Sequence, residues 1–217
     1  MPKAVTNTFE VHTYWVHVPR NITGLIWHID NNVLTREEST DLFKMAELGW
    51  LTLGISSRIE VEHLDAKSQA KKIFLAEKRK PFLISLAPIN LGHSVLGSSV
   101  LAAPEDENRL KKVYEALWPN SDFMLDRSQS EKRTMGRSRF RDSLLVSDAI
   151  RYCASAFITH DPRILEASQR IRNTFDGFDV ISINAATQVA RSRIEKSREF
   201  SLLRPTYPGS PGLPPWP

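Results

Sequence analysis

Apolar and polar positions alternate along the chain with two different periods. Short apolar runs bounded by Pro, Gly or Asp-Asn turns are typical of buried strands, whereas apolar positions three and four residues apart indicate helices. Strands that alternate with helices predict a layered α/β fold with a parallel sheet. The predicted strands cover residues 11–18, 22–29, 50–55, 122–125, 155–159 and 180–183, and the predicted helices cover residues 36–49, 58–80, 110–117, 142–154, 164–173 and 185–198.

Local signals set the ends of the first helix. Thr35 and Glu38 have the spacing of a capping box, in which each side chain bonds the backbone of the other residue. Gly49 follows the last residue of the helical pattern and is the expected stop.

The middle and the end of the chain follow the pattern less clearly. Residues 82–103 are apolar but contain Pro88, Gly92 and Gly97, which predicts a loop with short elements, and residues 126–141 are polar and predict a further loop. Six of the fourteen residues in 204–217 are proline, which predicts an extended, polyproline-type tail. We therefore expect one domain over residues 1–203, with its core at about 22–190 and a long middle segment at 81–141, followed by the tail.

Composition narrows the class of protein. The 217 residues are 41% hydrophobic and 25% charged, as in soluble globular proteins. No run of about 18 apolar residues could span a bilayer, and no charged and apolar leader opens the chain. A single cysteine, Cys153, cannot form an internal disulfide or a structural zinc cluster, and its place on the apolar face of a predicted helix indicates a core position. These features predict a cytoplasmic protein without a membrane partner.

Positive charge is concentrated in one segment. The formal net charge is only +4, but Glu131 is the only acidic residue in 131–141. Clustered cations favour the phosphates of a nucleic acid, and a solvent-exposed loop is the alternative interpretation. The candidate substrate-binding residues are Lys132, Arg133, Arg137, Arg139 and Arg141.

Acidic residues follow two of the predicted strands. Asp30 ends the strand at 22–29, and Asp161 comes just after the strand at 155–159. In open α/β sheets, ligands collect at the carboxyl ends of the strands. Each aspartate alone is also compatible with a helix cap or a turn.

Helical geometry adds two further carboxylates. At about 100° per residue, Asp142 lies on the apolar face that Leu145 and Ala149 define, whereas Asp148 lies about 120° away and is expected to face away from the site. Asp142 is also in position to cap its helix. Glu62 borders the apolar face of the helix at 58–80, although Glu60 remains an alternative.

Four acidic side chains, Asp30, Glu62, Asp142 and Asp161, can thus converge at one edge of the sheet. Clustered carboxylates repel one another unless a cation neutralises them, and oxygen ligands suit Mg²⁺ or Mn²⁺. Such a site is suited to metal-assisted hydrolysis of phosphodiesters.

Three stretches resemble one known family. Residues 25–34, LIWHIDNNVL, resemble the opening strand and Asp-Thr-Asn-Val-Leu motif of PIN-domain nucleases. Residues 55–62 are similar to that family's strand-Ser and helix-Glu segment, and residues 142–161 to its block of Asp, apolar helix, apolar strand and Thr-x-Asp. The resemblance implies a three-layer α/β/α sandwich with a central, mainly parallel sheet, and places Asp30, Glu62, Asp142 and Asp161 on the family's catalytic and metal-binding positions.

The resemblance also carries functional expectations. It implies a Mg²⁺- or Mn²⁺-dependent endoribonuclease, with RNA as partner and, as in bacterial toxin–antitoxin pairs, a protein inhibitor. A DNase, a homo-oligomer and a PIN-like nucleic-acid- or protein-binding module with weak or no catalysis remain alternatives. A haloacid-dehalogenase-type phosphatase is disfavoured because Asn32 stands where that family has a second acid.

Overall fold

A parallel five-stranded sheet forms the centre of the protein. The computed structural model describes residues 21–58, 82–88, 99–128, 135–202 and 213. The strands of the sheet are β1 (Ile26–Ile29), β2 (Thr52–Ser56), β3 (Leu83–Ser85), β6 (Ala156–Ile158) and β7 (Asp179–Ile181), and a separate pair comprises β4 (Ala87–Pro88) and β5 (Ser99–Val100). The order in the sheet is β3-β2-β1-β6-β7, so β1 lies at the centre. All pairings are parallel, as the alternation of strands and helices predicts.

Helices flank both faces of this sheet. They are α1 (Thr40–Glu47), α2 (Pro104–Leu117), α3 (Phe123–Ser128), α4 (Met135–Arg151), α5 (Pro162–Glu166), α6 (Ser168–Thr174) and α7 (Ile183–Leu202), with short 3-10 turns at Asn31–Val33 and Glu37–Ser39. Trp27 and Ile29 of β1 pack with α1 and α7, whereas Phe157 of β6 packs with α2, α4 and α6. This alternation follows from the two-residue period of a strand, and the layers are those of an α/β sandwich.

The helix after β1 begins differently from the prediction but ends as predicted. The residue that caps the first turn is Arg36, and its side chain makes no capping hydrogen bond. The Thr35 hydroxyl donates to the backbone carbonyl of Asn32 instead of accepting from the helix, so the predicted capping box is wrong. Gly49 ends the helix with φ +80°, and the Gly49 and Trp50 amides bond to the carbonyls of Ala46 and Met45. This is a Schellman motif, in which glycine removes the steric penalty of the left-handed conformation.

Two predictions for the middle of the chain are wrong. The strand predicted at 122–125 is part of helix α3, and the loop predicted at 126–141 contains the first turns of α4, which is helical from Met135. Phe123 is buried against Tyr114 and Phe140, so its burial comes from contact with helices and not from a place in the sheet. Aromatic propensity for strands is overridden by this packing.

Several predicted elements lie outside the described residues. These are the strand at 11–18, the helix at 58–80 beyond Arg58, and the proline-rich tail apart from Leu213. The short pieces predicted within 82–103 are present as β3, β4 and β5. Among the helices that the structure describes, none is long and apolar enough to cross a membrane.

Cys153 is exposed, which corrects its predicted place in the core. It follows α4 with φ +53°, and the amides of Cys153 and Ala154 bond to the carbonyls of Ile150 and Ala149. The cysteine therefore holds the left-handed position of a second Schellman motif, because the helix ends before the apolar face reaches it.

We predict that Cys153→Gly stabilises the protein by roughly 0.5–1 kcal/mol, because glycine adopts positive φ without the steric cost borne by an L-residue. Urea unfolding at constant slope measures the change. Cys153→Ala, which keeps a Cβ, is the matched control and should leave stability nearly unchanged. A glycine variant no more stable than the alanine variant would contradict the expected strain.

Candidate functional site

The candidate site lies where β1 and β6 end side by side. Ile29 pairs with Ile158, and the Asp30 amide donates to the Ile158 carbonyl over 2.9 Å. Asp30 and Thr159 therefore occupy equivalent positions just beyond neighbouring strands, at the edge where α/β proteins bind ligands.

Asp30 is a buried carboxylate with neutral hydrogen-bond donors. Asp30 is 8% exposed, and its Oδ2 accepts hydrogen bonds from Thr159 Oγ1 and from Asn32 Nδ2, each over 2.7 Å. Burial raises the pKa of Asp30, and the nearby charge of Asp161 raises it further, while hydrogen bonds from the Thr159 hydroxyl and from the backbone of Asn32 and Asn31 act in the opposite direction. These donors orient the side chain, and within the part of the chain that the structure describes no cation pairs with it.

Thr159 and Asn32 connect the two strand ends. The Thr159 hydroxyl donates to Asp30 and accepts from the Asp161 amide over 3.0 Å, and the side-chain Oδ1 of Asn32 accepts from the His160 amide over 3.1 Å. Sequence analysis assigned neither residue a role in the site. The available signal was the clustering of polar residues immediately after both apolar strands.

Asp161 caps helix α5 and binds Arg163. Its Oδ1 accepts from the Arg163 amide over 2.9 Å, so the cap considered from the sequence is present. The Arg163 guanidinium donates to both carboxylate oxygens, from Nε over 3.1 Å and from Nη2 over 2.5 Å. These bonds lower the pKa of Asp161. Arg163 is a third residue to which the sequence pattern assigned no role.

Asp142 reaches the same cluster from α4. Nη2 of Arg163 lies 4.0 Å from Asp142 Oδ2 and 2.5 Å from Asp161 Oδ2, so the two carboxylate oxygens are at most 6.5 Å apart. The Arg163 guanidinium carbon also lies 5.8 Å from the centre of the Trp118 ring. Arg163 therefore lies between two acids and an aromatic face.

Arg163 lies between two of the four predicted carboxylates, Asp142 and Asp161, and Asp30 lies near Asp161 at the same edge of the sheet. Glu62, like its alternative Glu60, lies outside the described residues. Within the part of the chain that the structure describes, no group of three or more His, Cys, Asp or Glu side chains is spaced to hold a metal ion. The donors are oxygens suited to Mg²⁺ or Mn²⁺, but the Arg163 guanidinium holds two of the carboxylates instead.

Charge pairing distinguishes Asp30 from the other buried acids. Asp106, Asp126 and Asp148 each form an ion pair with an arginine. Among the buried acids in the described ranges, only Asp30 has hydrogen-bond partners that are all neutral. A buried carboxylate without a cation is costly to ionise, and such groups concentrate at functional sites.

The predicted basic loop is largely helical. Arg139 lies on α4 and donates from Nε and Nη2 to the two oxygens of Asp126, over 2.7 and 3.0 Å. Asp126 also accepts from the Tyr114 hydroxyl, so this arginine belongs to an internal network. Arg137 and Arg141 lie on the same helix, and Lys132 and Arg133 lie outside the described residues. Their role in substrate binding stays a prediction.

Asp148, which the sequence predicts to face away from the site, is buried in an ion pair with Arg58. It is 1% exposed, accepts from Ser56 Oγ over 2.6 Å and from Arg58 Nε over 2.8 Å, and lies near the carboxyl end of β2. The helix begins at Met135, seven residues before Asp142, and therefore includes Phe140. Phe140 and Leu144 form a second buried face of α4, and Asp148 continues it at the same four-residue spacing.

We predict that Asp30→Asn raises the free energy of unfolding at pH 7 by roughly 1 kcal/mol. Asparagine keeps an oxygen for Thr159 and Asn32 and removes the buried charge. Because the pKa of Asp30 is raised in the folded state, the folded protein binds the proton more readily than the unfolded chain does. The wild type therefore bears the cost of the buried negative charge at pH values above the folded-state pKa. The gain should therefore shrink as the pH falls towards 3.8, the ordinary value. Urea unfolding at several pH values measures this, and a destabilised variant at pH 7 would show a structural carboxylate.

We predict the opposite effect for Asp148→Asn, with a loss of about 3 kcal/mol, because Arg58 would keep a buried charge without its counter-ion. Thermal or urea unfolding gives the comparison. Asp179→Asn, in which an exposed pair with Arg172 is broken, is the control and should cost less than about 1 kcal/mol. Equal effects in the two variants would contradict the structural role of the buried pair.

Neither models of protein families nor curated proteins yield a match to this sequence. The functional assignment therefore depends on the geometry around Asp30, Asp142 and Asp161 and on the resemblance of the sequence motifs.

Proposed function

We propose that this protein is a PIN-like, Mg²⁺- or Mn²⁺-dependent nuclease, and specifically an endoribonuclease. The observation that carries the proposal is Asp30, a buried acid without a cationic partner in the described chain, beside Asp142 and Asp161 at the end of two central parallel strands. Glu62 is the proposed fourth acid. This combination of oxygen ligands and strand-end position is the one that metal-dependent phosphodiesterases require.

Each proposed ligand is oriented by a different part of the fold. Thr159 and Asn32 hold Asp30, the first turn of α5 holds Asp161, and α4 carries Asp142. A divalent cation at this point would polarise a phosphodiester and lower the pKa of a bound water. The role of the chain is to hold the carboxylates close together, so that little reorganisation accompanies substrate binding.

A polyanionic substrate would meet both positive charge and an aromatic face here. Arg163 is half-exposed and lies over Trp118 at the edge of the acidic cluster. Guanidinium groups bind phosphates, and aromatic rings stack on unpaired bases, which favours a single-stranded substrate. RNA, a protein inhibitor and a toxin role follow only from the PIN resemblance.

The second candidate is a PIN-like nucleic-acid- or protein-binding module without catalysis. It is favoured by the Arg163 contacts, because one guanidinium neutralises part of the charge of Asp161 and Asp142. The two candidates differ in whether a divalent cation can replace that guanidinium.

We predict that single-stranded RNA is cleaved in the presence of Mn²⁺ or Mg²⁺ and that EDTA abolishes the cleavage. Asp30→Asn and Asp142→Asn should each lower the rate by more than about 100-fold, because even loss of an outer-shell partner costs 10–100-fold at metal sites. Gel analysis of end-labelled RNA measures the rates, with a DNA strand of the same sequence beside it.

Asp179→Asn is the matched control for these two variants. Asp179 begins β7 and therefore lies at the opposite edge of the sheet from the acids. The Asp179→Asn variant should therefore cleave RNA at the wild-type rate. RNA binding without cleavage at any metal concentration would support the binding module, and cleavage that survives both Asp30→Asn and Asp142→Asn would exclude this site.

A further inference from the structure

Arg163 is held in the acidic cluster by contacts that a folded helix does not need. The Arg163 amide already satisfies the capping role of Asp161, and the guanidinium adds two more bonds to the same carboxylate. The side chain is 49% exposed, so its burial contributes little to the core. Its remaining neighbours are Asp142 and the ring of Trp118.

The geometry makes the guanidinium a substitute for a metal ion. Both oxygens of Asp161 accept hydrogen bonds from Arg163, and Nη2 approaches Asp142 to 4.0 Å. A divalent cation bonds carboxylate oxygens at about 2.0–2.6 Å, and a carboxylate whose two oxygens face a guanidinium cannot present them to the metal in the same way. Metal binding at Asp161 and Asp142 therefore requires that Arg163 move away.

Such a movement is inexpensive for this side chain. Ion pairs at half-exposed positions contribute little, since solvent screens them and two long side chains lose freedom. The Trp118 face lies within reach of the guanidinium and would hold the released charge at the mouth of the site.

We propose that Arg163 is the resident counter-cation of this site and competes with the divalent cation for Asp161 and Asp142. The inference rests on the proposed function, because it concerns the same carboxylates. It adds that Arg163 offsets part of the charge of Asp161 and Asp142 in the protein without metal, and that it raises the metal concentration at which the site fills. The displaced guanidinium then becomes available to a substrate phosphate.

The test is a titration of the full-length chain with Mn²⁺ alone, followed by the loss of the electron paramagnetic resonance signal of free Mn²⁺. Arg163→Gln should bind Mn²⁺ about five-fold more tightly than the wild type, which corresponds to ~1 kcal/mol, the upper range for an exposed ion pair. Arg163→Lys is a second variant that keeps the charge but not the planar fork, and should tighten binding less.

Two controls tie the result to this site. Arg172→Gln removes another exposed arginine that pairs with an aspartate, Asp179, and should bind Mn²⁺ as the wild type does. Asp142→Asn removes a proposed ligand and should weaken Mn²⁺ binding in both the wild-type and the Arg163→Gln background.

The outcomes separate this inference from the proposed function. Equal or weaker Mn²⁺ binding by Arg163→Gln, with clear binding by the wild type, would overturn the competition and leave the metal site in place. Binding by Arg163→Gln but not by the wild type would support the competition strongly. Absence of binding in every variant would overturn both the metal site and the competition.

Discussion

The Thr159 hydroxyl is the contact on which the geometry of the candidate site depends. It donates to Asp30 and accepts from the Asp161 amide, and so joins the ends of the two central strands by one oxygen atom. A hydroxyl can do both at once, whereas valine, of similar shape, could do neither. The parallel pairing of β1 and β6 brings the residues to the same edge, but this bond sets the orientation of the Asp30 carboxylate relative to the start of α5. The position of Asp161, and through it of Arg163, follows.

Asp30 differs from the other buried acids of the described chain, each of which pairs with an arginine. Asp148 with Arg58, Asp126 with Arg139 and Asp106 with Arg109 show how this fold buries acids: each receives a guanidinium. Burying an ion is costly unless a partner offsets the desolvation. The described chain offers Asp30 only neutral donors. We therefore expect this carboxylate to stabilise the fold less than an amide would, as is common for a residue retained for binding or chemistry.

The sequence predicted the features that depend on local periodicity. The central strands, the helix ending at Gly49 and the position of Asp30 directly after β1 follow from the period of the apolar residues and from the turn signals. It failed where tertiary contacts decide. The segment after Asp122 forms helix because Phe123 finds aromatic partners on α2 and α4, and Cys153 is exposed because its helix stops two residues earlier. Arg163 was missed because its contacts depend on the turn that Asp161 caps.

The burial of Asp148 shows why one apolar face is insufficient for assigning function to acids on a buried helix. Helix α4 contacts strands β2 and β6 on one side and helices α2 and α3 on another, so it has two buried faces. Asp142 and Asp148 are both on this helix, yet Asp148 is sealed by Arg58 and Ser56 whereas Asp142 stays near the surface beside a half-exposed guanidinium. The structural acid and the candidate ligand therefore differ in the exposure of the arginine beside each of them. Arg58 is itself buried and donates to the Pro88 carbonyl, so it cannot leave without exposing polar groups to an apolar interior. Arg163 is half-exposed, and under the proposed function a divalent cation can take its place beside the acids.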